Sequence, residues 1–457
     1  MTALPPKVEV VNVGLAGFAS ALRDQGAPVV EVDWRPPAGG DEAIRAALTR
    51  LWSSERVQAA NEEFVARLEA SSPRAVTVAP AGTVVPGLRE GLLLHSGPPI
   101  AWERVCDPQR RALAAAVVFE GWAPDRGEAA RLLERGEIGL EPGNDHGHVG
   151  PMTGVCSPSM PVWVIEDGAA RAYSTLNEGP GRTLWLGVGD DASVERLRFF
   201  RDVLGPSLAR LLERTGPVDV FGLAAQGLNM GDDLHMRSQA TGNLLLRDLA
   251  PALAAEGDEP AARFMSRNHH FFLNLTMAAA KCAVTAAAPV EGSSVVALMA
   301  RNGTEAGLQL AGLPGRWFTA PAAPVQDVLL RDGHAPEDAA LDIGDSAVIE
   351  CIGLGGMALA AAPAVAAFFG GDARAAAERT ELMAQICVRR SSRFTITLRD
   401  FAGTPVGIDA RLVAELGIAP QISTGVLHAS DGAGQIGAGV AHQPLQLFRD
   451  AVLALAA

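Results

Sequence analysis

Residues 161–175, Pro-Val-Trp-Val-Ile-Glu-Asp-Gly-Ala-Ala-Arg-Ala-Tyr-Ser-Thr, contain two β-rich runs joined by an Asp-Gly dipeptide. Asp-Gly between β-branched and aromatic residues is a strong hairpin signal, because glycine accepts the positive φ that a tight turn requires. The stretch therefore predicts two antiparallel strands. Helical patterns precede this hairpin at residues 41–70 and 108–135 and follow it at about 193–214, 243–256 and 259–286, so the chain as a whole indicates a mixed α/β fold.

The N-terminal residues predict a smaller unit of the same class. Its predicted strand, helix and strand lie at residues 8–13, 15–25 and 29–32. The second strand ends at Asp33, and the order is that of a Rossmann-like β-α-β unit. Only Gly14 and Gly17 follow the first strand, whereas a dinucleotide fingerprint needs three glycines. A plain packing unit is therefore favoured over a nucleotide site.

Length and patterning predict several domains. A chain of 457 residues exceeds the size of one ordinary domain. The predicted domains are an N-terminal β-α-β unit, a small and largely helical subdomain with one short strand, an α/β domain with the hairpin and polar loops, and a C-terminal α/β domain with a Gly-rich turn, at residues 1–40, 41–140, 141–290 and 291–457. The two larger domains are interleaved α/β.

Composition excludes several classes of protein. The chain has 38 basic and 52 acidic residues and a net charge of −14, which argues against a nucleic-acid partner. Residues 351–371 carry no charge, but their glycines and Pro363 fit a turn and a buried helix better than a membrane span. No apolar leader follows Met1, and the five cysteines form no C-x-x-C pair. A reduced, cytoplasmic protein is expected.

Polar residues of the types used in active sites are concentrated in loops between positions 144 and 304. The segment Asp232-Asp233-Leu234-His235 and the pair His146 and His148 offer carboxylates and imidazoles, which suit a divalent metal. The predicted metal ligands are Asp232, Asp233 and His148, with Mg²⁺ or Mn²⁺ as the candidate ion and no other cofactor indicated. A network of hydrogen-bonded caps is the alternative use of the same residues.

A Gly-rich turn at residues 353–358 matches the pattern G-x-G-x-x-A. We expect it to follow a strand at residues 347–352 and to open an apolar helix, so that backbone N–H groups of Gly353, Gly355 and Gly356 hold a phosphate. Tight packing between strand and helix is the alternative. Nucleophilic catalysis is weakly supported, because there is no G-x-S-x-G elbow and Cys156 has no local base.

Several longer strings resemble the YlbE/AllG family. They lie at residues 12–15, 32–40, 149–152 (Val-Gly-Pro-Met), 157–161 (Ser-Pro-Ser-Met-Pro), 175–179 (Thr-Leu-Asn-Glu-Gly), 230–237 (Met-Gly-Asp-Asp-Leu-His-Met-Arg), 270–274 (His-Phe-Phe-Leu-Asn), 299–304 (Met-Ala-Arg-Asn-Gly-Thr), 316–319 and 342–356. The resemblance thus covers nearly the whole chain. The family string leads us to expect an acidic residue where this chain has His269.

The resemblance implies a subunit of bacterial oxamate carbamoyltransferase, in a multi-domain α/β fold. Such a subunit works with two others, one of them FdrA/AllF-like and similar to acyl-CoA synthetases. The implied reaction interconverts oxalurate plus phosphate with oxamate plus carbamoyl phosphate, late in anaerobic allantoin use. Small anionic compounds, carbamoyl phosphate and oxamate, are then the expected substrates, and a homodimer is a further expectation for so large a core.

Candidate roles follow from residue chemistry, since the resemblance supplies no catalytic residues. The leaving nitrogen needs a proton, which His235 or His270 would donate. Asn302 or Arg237 would hold the oxyanion or the substrate carboxylate, and Asp232 would orient the histidine or bind the ion. The predicted catalytic residues are thus His235, His270, Asp232 and Asn302. The predicted substrate-binding residues are Arg237, Asn177, Glu178, Asn268, Arg301, Gly353, Gly355 and Gly356.

Two other functions fit the same residues. One is a non-catalytic assembly subunit whose polar loops meet a nucleotide- or CoA-handling partner. The other is a stand-alone, metal-dependent amidohydrolase that acts on a ureido or amide compound. Bound metal, and activity without partners, would distinguish the hydrolase from the two subunit functions.

Overall fold

The computed structural model of the protein describes residues 10–14, 16–32, 36–368 and 370–457. These residues form a mixed α/β structure with several sheets, which confirms the predicted fold class. The α-helices are α1 (Ala16–Asp24), α2 (Glu42–Trp52), α3 (Glu55–Ala70), α4 (Ala81–Val84), α5 (Asp107–Glu120), α6 (Arg126–Glu134), α7 (Asp191–Phe199), α8 (Gly205–Thr215), α9 (Val220–Leu228), α10 (Gln239–Glu256), α11 (Glu259–Arg267), α12 (Leu273–Ala287), α13 (Val348–Cys351), α14 (Pro363–Ala367), α15 (Ala373–Ala384), α16 (Ala410–Leu416) and α17 (Leu445–Ala456).

The strands are short, and all but one of the sheets are mixed or antiparallel. They are β1 (Val10–Val13), β2 (Val29–Val32), β3 (Arg74–Pro80), β4 (Leu92–His95), β5 (Gly139–Pro142), β6 (Val155–Cys156), β7 (Pro161–Asp167), β8 (Ala170–Thr175), β9 (Val218–Asp219), β10 (Val296–Asn302), β11 (Glu305–Leu310), β12 (Phe318–Pro321), β13 (Gln326–Leu330), β14 (Ile343–Gly344), β15 (Cys387–Ile396), β16 (Ala402–Ile408), β17 (Gln421–Leu427) and β18 (Gln435–His442).

The predicted hairpin is confirmed. Strands β7 and β8 pair antiparallel with Val162 opposite Thr175, inside a sheet of order β8-β7-β3-β9. Helix α12, which is buried along almost its whole length, packs on this sheet. Trp163 of β7 meets Phe271 edge to face with 6.0 Å between ring centroids. Such aromatic contacts fix the start of α12 against the hairpin.

Two other sheets complete the surroundings of the site. Strands β12-β11-β10-β14 form one antiparallel sheet, and β13-β18-β17 form another. The second of these ends in the turn between β17 and β18, which reaches back toward the helical layer, where the Arg111 guanidinium donates to the Ser430 carbonyl at 2.6 Å. The β17–β18 turn is therefore held against helix α5.

The N-terminal prediction is also confirmed within the described residues. Strands β1 and β2 pair in parallel with α1 between them, which is a β-α-β unit. Asp33, which we expected at the end of the second strand, lies outside the described residues. Helices α2 and α3 join the large core cluster, whereas α5 and α6 pack in a separate cluster. The four domain limits remain predictions.

Two predicted elements are wrong in ways that matter for the site. Residues 347–352 were expected to form a strand, but they contain the short helix α13, because a brief apolar run has no periodicity that separates strand from buried helix. The helix expected over residues 259–286 is broken into α11 and α12. The break begins at Asn268, whose side-chain Oδ1 accepts the N–H of His270 at 3.0 Å.

Across the part of the chain that the structure describes, no helix is long and apolar enough to cross a membrane.

Candidate active site

Two adjoining cavities lie between the start of α12, the loop before α10 and the β17–β18 hairpin. The deeper one, the inner pocket, has about 30 Å³ of free space and is lined by Pro151, Met152, Trp185, Leu186, His235, Met236, His270, Leu273, Ser346, Thr424, Gly425 and Gln435. The outer cleft has about 820 Å³ and is lined by Met236, Arg237, Gln239, His269, His270, Leu329, Leu330, Arg331, Asp332, Ala364, Phe368, Gln435, Gly437 and Ala438. Met236, His270 and Gln435 border both, so the cleft leads to the pocket.

A buried histidine–glutamate pair forms one wall of the inner pocket. The Nδ1 atom of His235 lies 2.8 Å from Oε1 of Glu350, and the side chains are 4% and 0% exposed. A carboxylate at Nδ1 holds the ring proton there, which leaves Nε2 as the nitrogen that faces the pocket. This is the arrangement by which a carboxylate orients a general acid or base.

The Gly-rich turn supports this pair. The N–H of Gly356 donates to Oε1 of Glu350 at 2.9 Å, and that of Gly355 donates to the Asp233 carbonyl at 2.8 Å. A Cβ added to Gly355 would lie 2.2 Å from Oε1 of Glu350, so only glycine fits. The turn does not offer the predicted phosphate site in this structure. The N–H groups of Gly353, Gly355 and Gly356 already donate hydrogen bonds within the protein.

The loop that carries His235 is fixed by two buried aspartates. One oxygen of Asp233 accepts the N–H groups of His235 and Arg237 at 3.2 and 2.7 Å, and the other accepts the Ser423 hydroxyl at 3.0 Å. Burial raises the pKa of Asp233. Leu234, which lies between Asp233 and His235, has a φ of +69°, a strained value for a branched residue. The loop is thus held in a conformation that aims His235 at the pocket.

The side chain of Asp232 caps the N-terminal end of α10. Its two oxygens accept the N–H groups of Ala240 and Thr241 at 3.2 and 2.7 Å and the Thr241 hydroxyl at 2.8 Å. The Arg237 guanidinium donates to the same carboxylate at 3.0 Å. Four donors occupy the oxygens that an ion would need. Asp232 therefore positions Arg237 and α10 in this structure.

His270 lies beside His235 at the boundary of pocket and cleft. Its Nδ1 atom is buried and has no hydrogen-bond partner among the described residues, and its ring lies 4.4 Å from that of His269. Burial, together with the neighbouring His269 and His235, lowers the pKa of His270 to about 3. The His270 ring is therefore neutral at neutral pH. It can form a hydrogen bond to a substrate, but it is a poor general acid.

A network of buried amides lies behind Trp185. The Asn177 side chain donates to Asn274 at 2.9 Å, and Asn268 donates to the Asn177 carbonyl at 2.9 Å. Glu178 accepts the N–H groups of Leu184 and Trp185 at 2.8 and 3.0 Å. These residues hold the Trp185 wall of the inner pocket but do not line the pocket themselves.

The buried Glu178 predicts a pH-dependent stability. Burial raises the pKa of Glu178 from its ordinary 4.5 to about 7. Because the folded-state pKa lies above the unfolded one, its contribution is complete below pH 4.5 and is lost as the pH rises to about 7. The size is about 3 kcal/mol, from about 1.4 kcal/mol per pKa unit.

The test is urea unfolding of the wild type and of Glu178→Gln between pH 4.5 and 8. We expect the fall in unfolding free energy over this range to be smaller in Glu178→Gln. Glu195→Gln, at an exposed glutamate on α7, is the control and should keep the wild-type slope. Equal slopes in all three proteins would contradict the prediction.

Arg301 and Asn302 lie away from the inner pocket. Arg301 donates two hydrogen bonds to Asp342, at 2.6 and 2.9 Å, and a third to the Gly344 carbonyl at 2.6 Å. The Asn302 side chain donates to the Pro98 carbonyl at 3.1 Å and caps the β10–β11 turn. Both side chains are buried and fully used within the protein, so their predicted roles at a substrate have no support from this geometry.

The three predicted metal ligands are not brought together. His148 is buried beside β5 and β8, and burial lowers its pKa to about 3. In the described ranges, Asp232, Asp233 and His148 do not form a group whose ligand atoms lie within 4.8 Å of one another. Cys156 is buried, which raises the pKa of its thiol and fits an unreactive packing role.

Sequence reasoning missed Glu350 and the hairpin residues of the pocket, Thr424 and Gln435. Glu350 stands alone in the apolar run Ala-Val-Ile-Glu-Cys-Ile at residues 347–352. A single acid in such a run is rarely buried without a partner, and that signal would have identified it. Thr424 and Gln435 carried no comparable signal, because both lie in ordinary strand sequence.

The structure thus defines a mixed α/β protein with a carboxylate–histidine pair at the base of a cleft. Known proteins resemble it closely. Residues 138–346 match the family Oxamate carbamoyltransferase subunit AllG. Oxamate carbamoyltransferase subunit AllG of Escherichia coli K12 is 40% identical over 410 residues, 88% of this chain and 98% of that protein. The chain belongs to the AllG family.

Two further relatives extend the comparison to the whole chain and to a solved structure. The uncharacterized protein YahG of Escherichia coli K12 is 38% identical over 456 residues, 98% of this chain and 96% of that protein. A crystal structure of a conserved protein of unknown function from Enterococcus faecalis V583 aligns with a TM-score of 0.86 and 38% identity, and covers 89% of this chain and 98% of that one. The same fold therefore occurs in family members of different names.

Proposed function

We propose that this chain is a subunit of an oxamate carbamoyltransferase-like enzyme, is cytoplasmic, and contributes the inner pocket to carbamoyl transfer. Two partner subunits, one of them FdrA/AllF-like, complete the enzyme. Membership of the AllG family supports the subunit role. The pairing of His235 with the buried Glu350 at the base of a cleft is the observation that carries a catalytic role.

The two ring nitrogens of His235 have separate roles in the proposed chemistry. An oxygen of phosphate attacks the ureido carbonyl carbon of oxalurate, the bond to nitrogen breaks, and oxamate leaves with one added proton. Protonated His235 supplies that proton from Nε2, while Glu350 stabilises the imidazolium through Nδ1. In the reverse direction neutral His235 removes a proton from the attacking oxamate nitrogen, and phosphate leaves.

Substrate binding would begin in the outer cleft. Arg237 and Arg331 line it, and both bring positive charge to an otherwise acidic protein. The inner pocket has room for only a few waters, so a substrate that enters must widen it. Met236, which separates pocket and cleft, has the flexible side chain that such a movement needs.

The test is phosphate release from carbamoyl phosphate plus oxamate, by the chain alone and with its two partner subunits. We expect release only from the mixture. Release by the mixture that persists when His235 is replaced would instead favour an assembly subunit. Hydrolysis of a ureido compound by the chain alone, dependent on added metal, would favour the amidohydrolase.

Arg237 is expected to set the affinity for the anionic substrate. It is one-third exposed, borders the outer cleft, and is held in place by Asp232. Arg237→Ala should raise KM for oxamate about tenfold, which corresponds to about 1.4 kcal/mol, with a smaller change in kcat. Arg247→Ala removes another arginine of an Arg–Asp pair, exposed on α10, and should leave KM unchanged. An unchanged KM in Arg237→Ala would exclude this role.

A further inference from the structure

Two histidines and an aspartate meet next to the outer cleft, beside the loop whose Arg331 and Asp332 line it, and outside the pocket and its proposed chemistry. We name His334, Asp338 and His428 the rim cluster. Nδ1 of His334 and Nε2 of His428 each lie 3.8 Å from a different oxygen of Asp338. The three ligand atoms lie within 4.8 Å of one another, and no other such group occurs in the described ranges.

The backbone holds the rim cluster in place. The N–H of Ala335 donates to Oδ2 of Asp338 at 2.9 Å, which fixes the carboxylate relative to His334. The N–H of Ala429 donates to the Asp338 carbonyl at 2.8 Å, and Ala339 bridges to His428. The loop after β13 and the β17–β18 turn are thus tied together where their ligands face each other.

A further carboxylate lies behind one of the histidines. Oδ1 of Asp431 is 3.0 Å from Nδ1 of His428, on the side of the ring away from Asp338. The backbone N–H groups of Ser430 and Asp431 donate to this Nδ1 at 3.3 and 3.2 Å, so binding of an ion at Nε2 would require the ring proton to move to Nδ1, where the Asp431 carboxylate would accept it. Carboxylates placed in this way orient metal-bound histidines in many proteins.

We propose that the rim cluster binds one divalent transition-metal ion of the Zn²⁺ type. Two imidazoles and one carboxylate suit such an ion, whereas Mg²⁺ and Ca²⁺ prefer oxygen ligands alone. Donors on a tetrahedral Zn²⁺ are separated by about 3.3–3.5 Å, given bond lengths of about 2.0–2.1 Å. The observed 3.8 Å separations need only small side-chain rotations to reach that geometry. The side chains are 12–36% exposed, so an ion can reach them from solvent.

The ion would act as a clip on the wall of the cleft. Arg331 and Asp332 of the cleft precede His334 in the same loop, and Gln435 of the pocket follows His428 across the hairpin turn. An ion that joins the loop to the hairpin therefore stabilises both walls without touching the substrate. The site differs from the catalytic pair, since none of its residues lines the inner pocket.

The test is Zn²⁺ binding by the untagged, full-length chain, measured by calorimetry, with Co²⁺ absorption as a second probe. We expect one Zn²⁺ per chain, a higher Tm in its presence, and a Co²⁺ spectrum typical of four-coordination. His334→Ala, Asp338→Asn and His428→Ala should each weaken binding at least tenfold. Asp431→Asn should weaken it about 10- to 100-fold.

Glu337→Gln is the matched control for Asp338→Asn, because it removes the neighbouring, exposed acid that is not part of the cluster. Its Zn²⁺ affinity should equal that of the wild type. No Zn²⁺ binding by the wild type, or binding that all the rim-cluster variants retain, would overturn the proposal. Because calorimetry does not depend on activity, this result is independent of whether the chain transfers a carbamoyl group.

Discussion

Replacing His235 with alanine is expected to lower the rate of carbamoyl transfer by the assembled enzyme about 10²- to 10⁴-fold, the range for loss of a general acid–base residue. The side chain is 4% exposed, lines the inner pocket, and is oriented by Glu350 at 2.8 Å. In the proposed reaction, the leaving nitrogen then lacks the proton donor that His235 provides. The rate is measured as phosphate release with all subunits present.

A matched histidine separates this effect from a general loss of stability. His146 also pairs with a glutamate, Nε2 to Glu141 at 2.6 Å, but it lines neither the pocket nor the cleft. His146→Ala should therefore keep the wild-type rate. Assembly of both variants with the partners is checked by gel filtration. A His235→Ala enzyme that assembles and works at the wild-type rate would end the proposed role of His235.

Glu350→Gln probes the orientation of the ring and not the proton itself. Glu350 does not line the inner pocket, so it is a positioning residue that acts through His235. A neutral amide no longer stabilises the imidazolium, and we expect a loss of rate accompanied by a displaced pH–rate profile. A purely structural role would change the rate without moving the profile.

Local sequence was enough to predict the elements whose pattern is strong. The Asp-Gly turn at residues 167–168 predicted the β7–β8 hairpin, and periodicity predicted α2, α3 and α10. The short run at residues 347–352 was assigned to a strand because its residues favour β structure. The structure instead has the buried helix α13, because a short apolar run fits either element and only tertiary contacts select one of them.

In the candidate site, too, local sequence predicted some residues, whereas tertiary contacts determine the others. His235 and His270 were predicted from the residues of their own loops, and the structure places both in the inner pocket. Their surroundings come from distant parts of the chain: Glu350 lies 115 residues from His235. Asp232 illustrates the opposite error, because a carboxylate beside a histidine suggests a metal ligand, yet it caps α10 nine residues onward at Thr241.

Removal of the Arg301 side chain is expected to destabilise the protein by about 3–5 kcal/mol, as is usual when one partner of a buried ion pair is lost. Arg301 and Asp342 are 1% and 4% exposed and share two hydrogen bonds. Arg301→Met keeps much of the volume but leaves the Asp342 carboxylate buried without its cation. The free energy of unfolding is measured by urea denaturation near pH 7.

Arg104→Ala is the control, since Arg104 pairs with Glu305 at 2.9 Å near the same sheet but is 56% exposed. Exposed pairs contribute about 0–1 kcal/mol, so this variant should be nearly as stable as the wild type. Arg301→Met combined with Asp342→Leu should recover stability, because an apolar pair replaces the ion pair. A stable Arg301→Met protein that has lost its affinity for oxamate would contradict the structural role and return Arg301 to the substrate site that the sequence suggested.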